Sequence, residues 1–139
     1  IPDEVLLKPG ILDSGEWETM KTHSAVGAEI LSGYDSELMR VASEIARTHH
    51  ERWDGHGYPE GLKGDEIPLY TRIVSVCDVF DALTSERPYK KAWSVKEAMD
   101  YLYAHSGTQF DPVIVETFGR VLDRVVALRY RFPDINAMQ

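Results

Sequence analysis

The chain has 139 residues, enough for one domain with a core of its own. Its 15 basic and 23 acidic side chains leave a net charge of −8, which excludes a general nucleic-acid (DNA or RNA) binder, because gripping a phosphate backbone needs a basic face. No apolar run approaches the roughly 20 residues that span a bilayer, and no secretory signal opens the chain at Ile1. Cys77 stands alone, so an internal disulfide is excluded. Lying in an apolar helical pattern, it is expected to be a buried free thiol, which suits a reducing compartment.

Residues 1–13 read as an extended lead-in that turns at Pro9-Gly10. Asp13 followed by Glu16 predicts a capping box opening a short helix to about Lys21, with Trp17 and Met20 toward the core. A second short helix is expected over 24–31, stopped by Gly33, which places His23 at the junction. Leu38, Ala42, Ile45 and His49 recur at helical steps, so a helix over 36–50 should carry them on one buried face. His49 ends that stripe, and His50 is rotated off it. Four glycines with Pro59 and Pro68 predict a long loop over 51–68, the kind of segment that more often carries function than not. In that loop Tyr58 can stack on a purine, with Pro59 beside it. Asp54 can accept from a guanine edge and Arg52 can meet a phosphate, although these two can equally pair with each other. His56 is expected to be exposed.

A further helix is expected over 69–85, burying Ile73, Val76, Cys77, Phe80 and Leu83. Asp78 lies within reach of that stripe, where a carboxylate is costly unless it is paired or binds a cation. Asp81, one turn on, is expected to orient a neighbour or to pair with Arg87. Arg87, Lys90 and Lys91 then form a basic run that could clamp an anion. Ser94 and Glu97 predict a second capping box, with Ala98, Tyr101 and Leu102 on the buried side of its helix. Asp111 caps and Pro112 begins the last helix, which is expected to run to about Tyr130 and to bury Ile114, Phe118, Val121, Leu122 and Val125. Residues 131–139 are expected to fray. No strand pattern emerges. The fold is expected to be all-α, about six helices and one long Gly/Pro-rich loop, with residues 1–139 as a single domain.

The pair His49-His50 is the chemical centre of the sequence. Imidazole is the commonest metal ligand, and successive helical side chains diverge by about 100°. Adjacent histidines therefore suit two ions, or one ligand and one supporting group. Together with His23 and Asp78 they make a nitrogen and oxygen set that fits iron, manganese, zinc or nickel.

The stretch from His49 to Pro59, His-His-Glu-x-x-Asp-Gly-x-Gly-Tyr-Pro, resembles the signature of the HD-GYP domains, the cyclic di-GMP phosphodiesterases of the HD metal-dependent phosphohydrolase superfamily. Met20-Lys21-Thr22-His23 upstream is similar too. So are the run from Gly61 to Pro68, the run from Asp78 to Ser85, Arg87-Pro88-Tyr89-Lys90, and the closing Thr108-Gln109-Phe110-Asp111-Pro112. The resemblance implies an HD-domain-like helical fold and a cytoplasmic bacterial signalling enzyme that opens cyclic di-GMP to linear pGpG, and on to GMP as a further step. It implies two divalent metal ions, or three, iron or manganese foremost. His23, His49, His50 and Asp78 are the matching ligand positions, with His49, His50 and Asp78 acting in catalysis through a metal-activated water. Arg87 and Lys90 match positions that contact the ligand's phosphates. The resemblance further implies a receiver or sensory domain upstream, and leaves open whether two copies pair. Relatives carry a His-Asp pair directly before Ile-Pro-Asp-Glu. No His-Asp dipeptide occurs here, so the expectation is a domain truncated at its N-terminus or a degenerate member. Two alternatives stand beside the enzyme: a non-catalytic module that binds cyclic di-GMP or a protein, and a hydrolase of another nucleotide phosphoester.

Overall fold

The architecture is a computed structural model, which describes residues 1–86 and 91–132. Among the described residues it contains seven α-helices, one 3₁₀ turn and no strand. They are α1 (Asp3–Leu6), α2 (Ser14–Ser32), α3 (Glu37–Thr48), α4 (Leu69–Thr84), α5 (Val95–Ala104), α6 (Pro112–Arg120) and α7 (Leu122–Arg131), with the 3₁₀ turn at Gly64–Glu66.

Helix starts follow the capping chemistry. Asp13 accepts from the Glu16 N–H at 2.9 Å while the Glu16 carboxylate accepts from the Asp13 N–H at 2.8 Å. Both carboxyls are held below their usual range, Asp13 chiefly by the Glu16 N–H, Glu16 chiefly by the Lys8 ammonium and then by the Asp13 N–H. Ser94 and Glu97 form the same reciprocal box at α5, while Ser36 caps α3 by accepting from the Met39 N–H alone. Asp111 caps α6, with Pro112 in its first turn.

The expected pair of short helices is one helix of 19 residues, α2. Nothing at Thr22-His23-Ser24 lacks an amide or needs a positive φ, so no break is imposed there. Ser24 turns its hydroxyl onto the Lys21 carbonyl at 3.0 Å and stays inside the helix. The lead-in is likewise not wholly extended, since α1 forms right after Pro2, where proline suits a helix start. At the other end the predicted last helix splits at Val121, whose backbone leaves the helical region. Gly119 sits just before the split, and a methyl there would collide with the Tyr103 hydroxyl. Glycine is the residue that permits this approach, and it weakens the helix by about 1 kcal/mol.

The apolar core lies between α4, α5 and α6. Val76, Phe80, Ala98, Met99, Leu102, Phe110, Val115 and Phe118 are all buried in one cluster, with the Phe80 and Phe118 rings edge to face at 5.1 Å. α2 and α3 pack as an antiparallel hairpin around small side chains. Ala28 and Ser24 are buried, Ser43 donates to the Ala28 carbonyl at 2.8 Å, and a Cβ on Gly27 would stand 3.7 Å from that of Ala46. The hairpin is joined to α4 by a buried bond between the Thr48 and Thr71 hydroxyls at 2.8 Å. Thr48 gives its own proton to the Glu44 carbonyl, so Thr71 is the donor.

Several side chains expected in the core are not there. Trp17 is 44% exposed and Leu38 77%. On α4 Val76 and Phe80 are buried as expected and Leu83 packs against the core, whereas Ile73 and Cys77, expected beside them, are exposed. Ile73 and Cys77 lie toward one edge of the face that carries Val76, Phe80 and Leu83, and the core against α5 and α6 covers only the centre of that face. Val121 is exposed at the α6–α7 corner for the same reason that the helix breaks there. Val115 takes its place in the core.

Candidate metal centre and its cleft

Three imidazoles meet where the hairpin faces the long loop. His23 comes from the middle of α2, His49 is the residue that ends α3, and His50 follows it. The His23 Nδ1 lies 2.6 Å from the Met20 carbonyl, and the His49 Nδ1 lies 2.7 Å from that of Ala46. A carbonyl only accepts, so each Nδ1 carries the proton and each Nε2 presents a lone pair. Those Nε2 atoms face one another at 3.4 Å, and the His50 Nε2 stands 2.9 Å from that of His23. One ring nitrogen from each of the three lies within 4.8 Å of the others. Two lone pairs aimed at each other are satisfied by an electrophile held between them. Backbone carbonyls that fix the tautomer are the usual outer support of a metal-binding histidine. The donor set therefore fits a divalent cation with a preference for nitrogen. His50 is pushed down to about 4, first by burial and then by the neighbouring charges of His49 and His23, so at neutral pH its ring is uncharged and able to ligate.

Asp78 of α4 lines the same cleft as His49 and His50. It is exposed rather than buried, and it stands outside the triplet of ligand atoms within 4.8 Å. Asp81 lies 3.6 Å from the Arg129 guanidinium, which also donates to the Thr84 and Ser85 hydroxyls. Arg87 and Lys90, expected to meet phosphate, lie outside the described residues.

The loop is built from Glu51 outward. Its carboxylate, 4% exposed, accepts from the Glu60 N–H at 2.7 Å and from the Leu62 N–H at 3.0 Å, folding the loop back on itself. Gly57 is the point of closest approach. A Cβ there would lie 2.5 Å from both the Arg52 nitrogen and the His50 oxygen, so only glycine lets Tyr58 reach the site. Tyr58 stacks on His50 at 4.7 Å and 22°, and meets Trp17 at 5.9 Å and 80°. Pro59 follows through a cis peptide and is exposed.

Arg52 donates twice to Asp54, at 3.1 and 2.9 Å, which holds the Asp54 carboxyl far below its usual range. The pairing of these two side chains is thus the arrangement found, and it leaves Arg52 with further N–H donors. His56 is exposed, as expected. The Trp53 and Asp54 amides donate to the Gln109 and Thr108 carbonyls, tying the loop to the α5–α6 connection. Arg72 bonds Asp111 at 2.7 Å and Asp65 at 3.1 Å while lying over the Trp53 ring.

The cleft measures about 640 Å³, a size that takes a small organic ligand. Trp17, Arg52, Tyr58, Asp78 and Gln109 line it beside His49 and His50. The sequence reading missed three residues here. Trp17 was expected in the core, Glu51 had no role, and Gln109 passed as a motif filler. A signal existed for Gln109: it is a polar side chain directly before the buried Phe110 and the helix-capping Asp111.

Fold and site together define a helical protein with a three-imidazole cation centre at the wall of an open cleft. A sequence profile of the HD domain matches residues 1–114, and the chain belongs to that family. It is 54% identical over 120 residues to the cyclic di-GMP phosphodiesterase response regulator RpfG of Xanthomonas campestris pv. campestris, covering 86% of this chain and 32% of that protein. It is 51% identical over 118 residues to a cyclic di-GMP phosphodiesterase of Thermotoga maritima, covering 85% and 32%. It is 47% identical over 134 residues to the 3′3′-cGAMP-specific phosphodiesterase 2 of Vibrio cholerae, covering 96% and 26%. The chain thus spans a third or less of these relatives' length. Among solved structures it is similar to a cyclic GMP-AMP-specific phosphodiesterase of V. cholerae, with a TM-score of 0.68, 29% identity, and 89% of this chain against 28% of that one. Among the described residues no helix is long and apolar enough to cross a membrane.

Proposed function

We propose that this chain is the catalytic unit of a metal-dependent phosphodiesterase that hydrolyses cyclic di-GMP to linear pGpG, and further to GMP, in bacterial second-messenger signalling. The single observation behind this reading is the convergence of the His23, His49 and His50 Nε2 atoms at the wall of a cleft large enough for a nucleotide. The relatives named as cyclic di-GMP phosphodiesterases support the substrate.

His23, His49 and His50 hold the cation, and Asp78, from the facing helix, completes the ligand set. Two ions are proposed, iron or manganese, with a third as a variant of the same site. A cation bound there supplies Lewis acidity toward a phosphoryl oxygen and lowers the pKa of water. The protein's own part is positioning. Tyr58 stacked on His50 keeps that ring turned to the others. Arg52, steadied by Asp54, offers its spare N–H groups to a phosphate, and Arg87 and Lys90 add positive charge that the acidic chain otherwise lacks. Tyr58 and Pro59 form the rim against which the nucleotide rests. We further propose that residues 1–139 form one HD-GYP-type domain, working in the cytoplasm under a receiver or sensory domain elsewhere in the polypeptide.

The 47% identity to a cGAMP-specific enzyme over 96% of the chain favours one second reading, in which 3′3′-cGAMP is the preferred substrate. Both readings are tested by anaerobic turnover with iron(II) or manganese(II), the two cyclic dinucleotides supplied separately and in competition, products followed by chromatography. Linear pGpG from the wild type and none from His49→Ala supports the first reading. Faster opening of cGAMP moves the assignment to the second. Binding of either without turnover would leave a sensor module in place of an enzyme.

A further inference from the structure

Trp17 is an exposed indole without a structural reason to be exposed. It begins a long helix whose other exposed apolar residues face away from any cavity that holds histidine, whereas Trp17 lines the cleft with His49, His50 and Tyr58. Tyr58, the ring that the sequence offers for stacking, is already engaged. One neighbour, His50, lies nearly parallel to it at 4.7 Å, and Trp17 meets it at 80°. A parallel partner at that distance covers one face of Tyr58, which is half-buried, whereas the indole of Trp17 is 44% exposed. A tryptophan costs free energy when held in water, and an aromatic wall beside a polar site is the usual platform for a nucleobase, since every base has a π-face.

We propose that Trp17 is the base-stacking residue of the cleft, the side chain that recognises a purine of the substrate, with Tyr58 acting as the brace that fixes both His50 and the indole. This rests on the reading of the cleft as a nucleotide site. It differs from that reading in assigning the base subsite to α2, on the same helix as His23 and six residues before it. Recognition of the base and placement of one metal ligand would then be coupled through a single rigid helix.

The test compares Trp17→Ala and Trp17→Phe with the wild type in the full-length, metal-loaded protein, on cyclic di-GMP and on bis(p-nitrophenyl) phosphate, a phosphodiester with no nucleobase. Trp17→Ala should lower the ratio of kcat/KM for the dinucleotide over that for the base-free diester by on the order of tenfold, through KM. Trp17→Phe, which keeps a ring, should recover most of it. An unchanged ratio, or equal loss on both substrates, would overturn the proposal, because Trp17 would then be a mere prop for Tyr58.

A second readout is independent of turnover. GMP should quench the protein's tryptophan fluorescence, and the quench should vanish in Trp17→Phe and persist in Trp93→Phe. Quenching retained in Trp17→Phe would overturn the proposal by itself. If the wild type cleaves the base-free diester and ignores the cyclic dinucleotide, the substrate assignment has failed, and the GMP quench still decides the base subsite on its own.

Discussion

The α2–α3 hairpin and the α4–α6 core are held together by different means. The core buries Phe80, Leu102, Phe110 and Phe118, large side chains whose removal from water is the main stabilising term. The hairpin has no such payload. Its buried residues are Ser24, Ala28 and Thr48, while Val26, Ile30 and Leu38 point into solvent. Small residues let the two helix backbones approach, and that approach sets the 3.4 Å between the His23 and His49 nitrogens. One region thus carries stability and the other carries geometry. The loop rooted at Glu51 connects them, since it touches His50 at one end and the Thr108–Gln109 carbonyls at the other.

Breaking the geometry should leave stability largely intact. His49→Ala should lower hydrolysis by at least about a hundredfold, given that even outer-sphere partners of a metal ligand cost 10–100-fold. The thermal midpoint of the metal-free protein should hardly move, because His49 is only half-buried. A large fall in that midpoint would show that the hairpin depends on its histidines for folding.

Phe80→Ala probes the opposite case. Opening a cavity in the core should cost about 3–5 kcal/mol in urea denaturation. The metal affinity of the protein that remains folded should stay near the wild-type value. Joint loss of both would mean that core and hairpin are one cooperative element in metal binding.

Gly57→Ala falls between the two regions. The added methyl meets the Arg52 nitrogen and the His50 carbonyl, backbone atoms that cannot swing aside. Overpacking of this kind costs about 1–3 kcal/mol. Isothermal titration with manganese should show weaker binding at the same time, since the displaced segment bears His50.

The smallest effects separate the regions by their caps. Ser36→Ala removes the cap of α3 and Ser94→Ala that of α5, each costing about 1 kcal/mol. Only Ser36→Ala should also loosen metal binding, because α3 ends at His49. At the start of α2 the reciprocal Asp13–Glu16 pair has both carboxyls lowered in the folded state. Its contribution is therefore full above the ordinary carboxylate range and lost as pH falls through the lowered values. Acid melts of Asp13→Ala should converge on the wild type at low pH.

Helix existence, caps and chemistry were legible because they are local. Asp13-x-x-Glu16, Ser94-x-x-Glu97 and Asp111-Pro112 each satisfy their own backbone within one turn, and the sequence reading placed all three. The adjacency of His49 and His50 was legible for the same reason. Orientation was harder to see. Ile73 and Cys77 continue the apolar face of Val76, Phe80 and Leu83 on paper, and how far the core wraps around that face belongs to the partners α5 and α6. The run through His23 was mistaken for a junction because a histidine between two patterned stretches carries no helix signal of its own.

What the sequence determined by itself is the inventory: an all-helical chain, its helix starts, a turn-rich loop, and three imidazoles with a carboxylate suited to a divalent ion. Those follow from hydrogen bonds and side-chain chemistry that reach no further than a few residues. The tertiary structure decided that the nitrogens of His23, His49 and His50 meet and that Trp17 opens into the cleft. These depend on contacts between residues far apart in the chain, such as His23 with His49 and Trp17 with Tyr58, whose meeting is set by how closely two helices pack and where one glycine lets a loop come in.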